Sequence, residues 1–450
     1  MIKKSTLIVV LCAIIAAAGV YYSQWRKSKK PAAPADTSKP AFSINPSNIN
    51  SFSISHPTQK DQPAIGFEKQ KGTWRIVQPI NTLADQPTAE GFVDQLAESR
   101  PTETESVAAG RRKSFGLDPP AASVEFRTNS GQKHTLLLGD KDFSGSAVYA
   151  VVDDQPKVLL MPLSLLTTAD KPLNALRDMN VLRLDSVDVS SFALKNPSGD
   201  LAVSRNPKDS TQWYFTKPEK VPADPDVVDS LLDAISNARI SDIVSEKSDN
   251  LARYGFSRPA VSFGVVKNDG DKSTLVLGKK IGEAYYARDL SRPIIFKVNK
   301  DLYSKLTKSF SQMRDKSVVH LDESSLDRIQ LQNSNGIIEI SRQGSDGPWK
   351  IAAPAGDKGK SASSWKILNP FTSLRAEEVI DHPSGVQTAA MKNPAVTVVF
   401  TKNSGQQVTV RLSKPSGDIA YAQSSASPEL FKIKKQTVAD LNLKPKDVSF

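Results

Sequence analysis

Cysteine is almost absent from this sequence of 450 residues, which contains one, Cys12. Because Cys12 lies within an apolar N-terminal run, the chain beyond it can form neither a disulfide framework nor a cysteine-based metal site. Such a chain is also suited to an oxidising compartment. Histidine is scarce as well, and the spacing of the four residues is not that of metal ligands: His56, His134, His320 and His382. The sequence therefore predicts no metal site and no cofactor.

Signatures of common hydrolases are missing too. The sequence has no Gly-x-Ser-x-Gly elbow and, beyond residue 12, no cysteine nucleophile. Neighbouring carboxylates such as Asp153-Asp154 and Glu377-Glu378 are typical of turns and solvated faces. We therefore predict no catalytic residues, and we expect that the protein is not an enzyme.

Acidic residues are missing from the first 30 positions, which contain six basic residues. The formal net charge of the chain is +11, but the other 420 residues contain 53 basic against 48 acidic side chains, or +5. This indicates a mixed, solvated surface without a compact basic stripe. Aromatic residues make up only 7% of the chain. We therefore predict no binding to nucleic acid.

The N-terminal segment is a long apolar run. Residues 5–25 are uncharged and would form a helix of about 31 Å, enough to span a hydrocarbon core. We predict a transmembrane anchor at residues 1–26, followed by a flexible stalk rich in Lys, Pro, Ala and Ser at residues 27–41. Cleavage by signal peptidase after Ala16-Ala17-Ala18 is the alternative and would release a soluble protein. Lipoprotein processing at Cys12 is disfavoured because Leu11 precedes it.

The orientation of this anchor rests on two opposing signals. Positive charges are more numerous on its C-terminal flank, which favours that flank in the cytoplasm. A four-residue tail before the apolar segment instead indicates a cytoplasmic N-terminus, and large domains translocate largely regardless of charge. We expect a single-pass protein of the bacterial inner membrane with the bulk of its chain in the periplasm.

An internal repeat organises the rest of the chain. The pattern Trp-x-apolar-x-x-Pro occurs three times at nearly even intervals: Trp74 to Pro79, Trp213 to Pro218, and Trp349 to Pro354. Apolar residues stand 18, 19 and 22 positions after each tryptophan, as on one face of a helix. The nine are Phe92, Val93, Leu96, Leu231, Leu232, Ile235, Ile367, Leu368 and Phe371.

Further signals recur in the first two copies. Asp85 and Asp224 precede the predicted helices as N-caps. Two glycines stand at the same offsets from the tryptophan in both copies, namely Gly116 and Gly139, then Gly255 and Gly278. Both copies close on a helix followed by Arg-Asp (residues 177–178 and 314–315). We expect Arg177 and Arg314 to pin the repeat junctions through local ion pairs, and a role in an interface is the alternative. The third copy lacks the aromatic-Gly pair and is expected to end without a closing helix.

These patterns predict an α+β protein with three tandem repeats after the anchor. The repeats are placed at residues 42–178, 181–315 and 318–450, the third divergent and truncated. Each is expected to contain an antiparallel sheet with a helix packed on one face. In a strand, the motif tryptophan and the residue two positions later share a side, so the tryptophans are predicted core residues.

The anchor, the repeated W-x-I-x-x-P pattern, the Y-G-L/F-x-x-P segment and the L-x-L-G strand resemble the bacterial family known as domain of unknown function 4340. The resemblance covers nearly the whole chain beyond the stalk. It implies a membrane-anchored envelope protein. Some members are associated with ABC-type transport systems, including those related to gliding-motility machinery. The resemblance implies location and partners, and it supplies no catalytic residues.

One stretch, PWKIAAPAGDKGKSASS at residues 348–364, has the order of parts of a phosphate-binding P-loop. The first glycine of that motif is replaced by Pro354, the strand-ending proline of the repeat. Lys360 stands at the same offset from Trp349 as Asp85 and Asp224 do from the tryptophans of their own copies. We therefore interpret this stretch as a variant helix-entry loop capped by a nearby serine.

The sequence thus predicts a scaffold or accessory subunit of a membrane complex, with ABC-type transporter subunits as candidate partners. Tandem repeats build long binding surfaces rather than one catalytic cleft. Two alternatives remain open. One is a module that binds cell-wall glycan or another extracytoplasmic polymer, and the other is a hydrolase of unrecognised type.

Overall fold

A computed structural model describes residues 39–59, 61–101, 103–106, 109–372 and 374–450. The predicted anchor and most of the predicted stalk lie outside these residues. Within them, no helix is both long and apolar enough to cross a membrane. The chain divides into two compact units, the first ending at Asn180 and the second spanning Val181–Phe450. The first unit contains one sheet and the second contains two.

The first unit is built on a nine-stranded antiparallel sheet of order β4-β3-β2-β1-β6-β7-β8-β9-β5. Its first strand is central, because it pairs with β2 on one side and with β6 on the other. The strands are β1 Ile49–Ser55, β2 Ile65–Gln70, β3 Thr73–Gln78, β4 Thr82–Leu83, β5 Glu103–Ser106, β6 Ala122–Thr128, β7 Lys133–Lys141, β8 Ala147–Val152 and β9 Lys157–Pro162. The helices are α1 Gln86–Glu98, α2 Leu163–Ala169 and α3 Leu173–Leu176.

Helices cover one face of this sheet. Strand β6 alternates between buried and more exposed positions, as expected of a strand with one face in the core. Helix α1 contributes the apolar face predicted from the repeat, Phe92, Val93 and Leu96, and these side chains join the sheet and α2 in one core. The predicted helical spacing is confirmed for this copy.

The second repeat has the same strand order, β13-β12-β11-β10-β15-β16-β17-β18-β14. Its strands are β10 Val189–Asn196, β11 Gly199–Asn206, β12 Asp209–Lys217, β13 Pro222–Ala223, β14 Asp242–Ser245, β15 Val261–Lys267, β16 Lys272–Ile281, β17 Ala284–Asp289 and β18 Ile295–Asn299. Its helices are α4 Pro225–Ser236, α5 Lys300–Leu306 and α6 Phe310–Met313. Helix α4 buries Val228, Leu231, Leu232 and Ile235.

The third repeat has eight strands in the order β21-β20-β19-β23-β24-β25-β26-β22. They are β19 Leu326–Asn333, β20 Gly336–Ser341, β21 Lys350–Ala353, β22 Glu378–Ile380, β23 Val396–Lys402, β24 Gln407–Leu412, β25 Ile419–Ser424 and β26 Leu430–Lys434. Its helices are α7 Trp365–Thr372, α8 Gly385–Ala390, α9 Lys435–Asp440 and α10 Pro445–Val448. The α+β class and the three antiparallel sheets therefore agree with the sequence-based expectation.

The expectation that the third repeat is truncated is wrong, because α9 and α10 close it. The Asn333 amide donates to the carbonyls of Leu441 and Leu443 after α9, both at 2.9 Å. Asn196 does the same at the end of α5 in the second repeat. The closing helices were missed because they are short and because Ser449-Phe450 stands in place of the Arg-Asp pair.

One backbone hydrogen bond recurs within each repeat and shows which residues of the three copies are equivalent. The amide of Asp85 donates to the Leu176 carbonyl at 2.9 Å, and that of Asp224 donates to Met313 at 2.8 Å. In the third repeat the matching bond runs from Ser363 to Val448 at 2.8 Å. Ser363 is therefore the equivalent of Asp85 and Asp224, although it lies three residues further from its tryptophan. The ungapped alignment of the third copy, which matched Lys360 to the two aspartates, is wrong.

Candidate functional site

The motif tryptophans lie in the cores of their repeats. Trp74 and Trp213 are 1% exposed and Trp349 is 8% exposed, so their predicted core role is confirmed. A cation from the neighbouring strand, or from the residue directly after it, lies over each indole ring: Lys69 at 5.7 Å, Arg205 at 4.2 Å and Arg342 at 4.8 Å from the ring centroid. This repeated cation–π contact was not predicted from the sequence. The only sign of this contact in the sequence is one basic residue shortly before each tryptophan. It stands five positions before Trp74, eight before Trp213 and seven before Trp349.

The motif prolines follow the strand that holds the tryptophan. Pro79, Pro218 and Pro354 come directly after β3, β12 and β21, and each is preceded by a cis peptide bond. A proline cannot donate to a strand ladder, which accounts for the end of each strand there. Pro354 therefore has the same place after its strand as the other two prolines.

The structure places Asp85 and Asp224 at the N-caps of α1 and α4. Asp85 accepts from the amide of Thr88 at 3.0 Å, and Asp224 accepts from that of Asp226 at 3.1 Å. In the third repeat, Ser364 precedes α7 and its hydroxyl instead donates to Glu323. That glutamate also accepts from the indole N–H of Trp349 at 3.1 Å. Glu323 thus links the residue before α7 to the motif tryptophan in the third repeat.

The paired glycines hold a crossing segment against the sheet. Gly278 lies so close to the carbonyl oxygen of Tyr254 that a Cβ would overlap it, and Gly139 lies in the same way against Phe115. The amide of Lys279 donates to that Tyr254 carbonyl at 2.9 Å. Gly116 and Gly255 supply the left-handed backbone of the turn, with φ of +66° and +86°. These four glycines are structural and define a backbone clamp on β7 and β16.

The P-loop-like stretch forms a hairpin extension of β21. The amide of Gly359 donates to the Ile351 carbonyl at 2.8 Å, and the amide of Ile351 donates to Lys360 at 2.9 Å. The side chain of Lys360 pairs with Asp357 at 2.6 Å. A phosphate-binding lysine would have to leave this partner, so the geometry favours the interpretation as a helix-entry loop.

Arg314 links the second repeat to the third. Its guanidinium, 7% exposed, donates to both carboxylate oxygens of Asp381, at 2.7 and 2.5 Å. Glu429 of the third repeat lies 3.5 Å away, and Glu219 of the second repeat lies 3.9 Å away. The hydrogen bond with Asp381 raises the pKa of Arg314 and lowers that of Asp381. Arg314 thus forms the ion pair that was predicted at this junction. Its acidic partner, however, is Asp381 of the third repeat and not the neighbouring Asp315.

A second set of charges crosses the same junction. Arg375 of the third repeat lies 3.6 Å from Asp224 and 3.5 Å from Asp226 of the second repeat. Opposite charges on the two repeats thus pair at two places. A doubly bonded arginine–carboxylate pair constrains geometry as well as distance, so these contacts can fix the angle between the two repeats.

His320 and Asp315 form a third pair at this junction, at 2.6 Å. The hydrogen bond that His320 donates to Asp315 raises the pKa of His320, against burial and the charge of Arg375. Burial alone would raise the pKa of Asp315, but hydrogen bonds from His320 and Ser317 outweigh it and the pKa is lowered. The pair is therefore strongest when the imidazole is protonated.

This pair predicts a pH dependence. Because the pKa of His320 is raised in the folded state, its contribution is present in full below about pH 6.5 and is lost as the pH rises through the raised pKa. We expect the free energy of unfolding to fall by about 0.5 kcal/mol, because the ring is largely exposed. Urea unfolding of the wild type and of His320→Gln and Asp315→Asn, between about pH 6 and pH 8, measures it. A slope retained in both variants would contradict this assignment.

A cleft of about 850 Å³ opens at this junction. Tyr214 and Pro222 of the second repeat line one side, and Val408 and Phe431 of the third repeat line the other. Its polar lining includes Arg314, His320, Lys402 and Glu429. Clefts between domains are common binding sites. Among the residues that the structure describes, no group of three or more His, Cys, Asp and Glu could hold a metal ion.

A family profile described as "Domain of unknown function (DUF4340)" matches this chain twice, at residues 74–212 and 213–394. The two matches begin at Trp74 and Trp213, the tryptophans of the repeat, and together they cover more than half of the chain. The chain belongs to the DUF4340 family. A search of curated proteins found no match. In this DUF4340 protein, both matched segments thus begin on the third strand of a sheet.

Proposed function

We propose that this DUF4340 protein is a non-enzymatic, membrane-anchored envelope protein that acts as a scaffold or accessory subunit of a membrane complex. The observation that carries the proposal is the Arg314–Asp381 pair, with Glu429 beside it. These charged groups pair with one another across the junction, where they can hold two repeats as one extended surface. Such a surface suits the binding of proteins better than the turnover of a small substrate.

The membrane part of the proposal rests on residues 5–25, and the association with ABC-type transporter subunits rests on the family resemblance. A topology reporter fused to the C-terminus tests the location. We expect activity from a periplasmic reporter, and activity from a cytoplasmic reporter alone would overturn the envelope assignment.

Co-purification tests the scaffold role. The tagged full chain, taken from detergent-solubilised membranes, should recover membrane partners in a fixed proportion. Arg314→Ala should reduce that recovery, since it loosens the junction without touching the anchor. Arg328→Ala is the matched control, because Arg328 is mostly exposed and lies 3.8 Å from Glu339 within the third repeat. Recovery of the chain alone, with retention on cell-wall material, would favour polymer binding instead.

A groove in the third repeat supports polymer binding as a second candidate function. It has a volume of about 800 Å³, and its lining is rich in amides and lysines: Gln332, Asn393, Gln436, Asn442, Lys414 and Lys435. At the equivalent place in the second repeat, Tyr285 and Tyr303 stack at 4.0 Å. The strand register puts Ala420 at the position of Tyr285 in the third repeat. Val438 stands four residues after the N-cap of α9, as Tyr303 does after that of α5, and it lines the groove.

Sedimentation with purified cell-wall polysaccharide tests this second function. Gln332→Glu and Lys414→Glu should both reduce retention if the groove binds the polymer. Equal retention of these variants and the wild type would exclude the groove as the site.

A further inference from the structure

A pocket of about 430 Å³ lies beside the glycine clamp of the second repeat, and we name it the clamp pocket. Gly255 and Gly278 of the clamp line it, together with three basic residues. Arg258 lies between β14 and β15, and Lys279 and Lys280 lie near the end of β16. Within the described part of the chain, no acidic residue lines this pocket. The charged side chains of its lining are therefore all positive.

The three cations of the clamp pocket are free to bind a ligand. These residues are exposed, and among the residues that the structure describes none of their side chains takes part in an ion pair or a hydrogen bond. Other lysines of the same repeat are paired, Lys297 with Asp242 at 2.9 Å and Lys300 with Glu283. Like charges around one pocket repel each other, and an anionic ligand would relieve this repulsion.

The clamp fixes the position of Lys279. Its stem lies against the turn glycine, so that a Cβ added to Gly255 would meet the Cγ of Lys279 at 2.7 Å. Its backbone amide donates to the Tyr254 carbonyl at 2.9 Å. The backbone and the first part of the side chain are thus held in place. A group held in this way loses less conformational freedom on binding, which favours affinity.

One side of the clamp pocket is aromatic. Tyr285 lines the pocket, and its ring stacks on that of Tyr303 at a centroid distance of 4.0 Å and an interplanar angle of 6°. A ring held by stacking offers an apolar surface to the organic part of a ligand. The volume of the pocket lies in the range of small-molecule sites, so it can hold more than an inorganic ion.

The first repeat has the same clamp without this charge. Both clamps close with the same pair of turn hydrogen bonds, at an interval of 139 residues. At this interval the three basic residues are replaced by Pro119, Asp140 and Lys141. The other lining residues are replaced by uncharged ones and by two of opposite charge, Lys113 and Asp118. In the third repeat the interval is 135 residues, and the three places hold Asn393, Lys414 and Pro415. The set of three cations is thus particular to the second repeat, and the clamp does not require it.

We propose that the clamp pocket binds the phosphate group of an organic phosphate ester. A phosphate monoester carries about −1.5 to −2 charges and three acceptor oxygens, so it can accept from all three cations at once. A carboxylate has one charge and two oxygens. Arg258 can donate two parallel hydrogen bonds to the phosphate, while the lysines act as point charges. Phosphate binding at this pocket goes beyond the scaffold role and does not depend on it.

Isothermal titration calorimetry of the detergent-solubilised full chain with glucose 6-phosphate tests the proposal. Inorganic phosphate and glucuronate are the comparisons, since the first lacks the ring and the second carries a carboxylate on it. We expect one site per chain with a dissociation constant below about 1 mM for glucose 6-phosphate. Glucuronate should bind about tenfold more weakly or worse. Binding of each anion should weaken as the ionic strength rises.

Two variants assign the binding to the clamp pocket. Lys279→Asp should weaken binding by about 100-fold, because it replaces a cation with a charge that repels phosphate. The fold should tolerate it, since the first repeat has Asp140 at this place. Arg258→Ala should weaken binding by about tenfold. Lys195→Ala is the matched control, because Lys195 is an exposed lysine of the same sheet that lies 3.7 Å from Asp200. All three variants should keep the melting temperature of the wild type.

A further titrant, phosphatidylglycerol with short acyl chains, distinguishes the two sources of such an ester. Tighter binding of this lipid than of glucose 6-phosphate would assign the pocket to a lipid headgroup, and the reverse would assign it to a soluble sugar phosphate. Equal affinity for glucuronate and glucose 6-phosphate would overturn the assignment to phosphate. Binding of none of the three phosphates, or binding that Lys279→Asp leaves unchanged, would overturn the site.

Discussion

Replacing Gly278 with alanine is expected to lower the free energy of unfolding of the second repeat by about 3 kcal/mol. The added Cβ would overlap the carbonyl oxygen of Tyr254, a backbone atom that cannot rotate away as a side chain can. That carbonyl also accepts the amide of Lys279, so movement of either segment would break a hydrogen bond of the clamp. Urea unfolding of the full chain, followed by circular dichroism, measures the change.

Gly264→Ala is the matched control for this experiment. Gly264 lies in β15 of the same sheet, and a Cβ there would meet only Thr274 at 3.7 Å, an ordinary contact. We expect a change within about 0.5 kcal/mol. Gly139→Ala should reproduce the large effect in the first unit, because Gly139 lies against Phe115 in the same way. Equal effects at Gly278 and Gly264 would refute the clamp.

Replacing Arg314 with alanine is expected to cost about 3 kcal/mol and to separate the unfolding of the second and third repeats. The guanidinium is buried and doubly bonded to Asp381, with Glu429 also beside it. Its removal leaves these carboxylates close together without a compensating cation. Hydrogen exchange should show faster exchange on both sides of the junction, in residues 314–321 and 376–381, while the strands of each sheet stay protected.

Arg328→Ala provides the comparison for Arg314. Arg328 is mostly exposed and lies 3.8 Å from Glu339, so its loss should cost less than about 1 kcal/mol. A double change of Arg314→Met and Asp381→Leu should recover part of the stability, because no unpaired charge remains at that pair. If Arg314→Ala and Arg328→Ala behave alike, Arg314 does not hold the junction.

Local patterns were predictable from the sequence. The tryptophan strand, its terminating proline and the aspartate N-caps each depend on residues within a few positions of one another. The interpretation of the P-loop-like stretch also followed from such a local comparison, since Pro354 matches Pro79 and Pro218. The α+β class and the three sheets follow from the same signals.

Features that depend on distant residues were not predictable in this way. The loop between Trp349 and Ser363 is three residues longer than the loops before Asp85 and Asp224. An ungapped count from the tryptophan misses this insertion, because apolar residues of α7 also fall 18, 19 and 22 positions after Trp349. The junction was only half predicted, since Asp381 and Glu429 lie in the third repeat and belong to no repeated motif. The cations over the motif tryptophans come from the neighbouring strand, or from the residue directly after it, at three different spacings. These three features became visible only in the folded structure, because they join residues that are distant or irregularly spaced in the chain.

The position of β1, β10 and β19 within their sheets decides where the chain can be cut into stable fragments. Each is the first strand of its repeat in sequence yet lies inside its sheet, hydrogen-bonded on both sides. A fragment that begins at Trp74 or Trp213, where the family profile begins, lacks that strand and the strand after it. The remaining strands would then form two separate parts of the sheet, because the two strands that join them are missing, and each part would expose an edge prone to aggregation. Cutting between Asn180 and Val181 keeps every sheet whole.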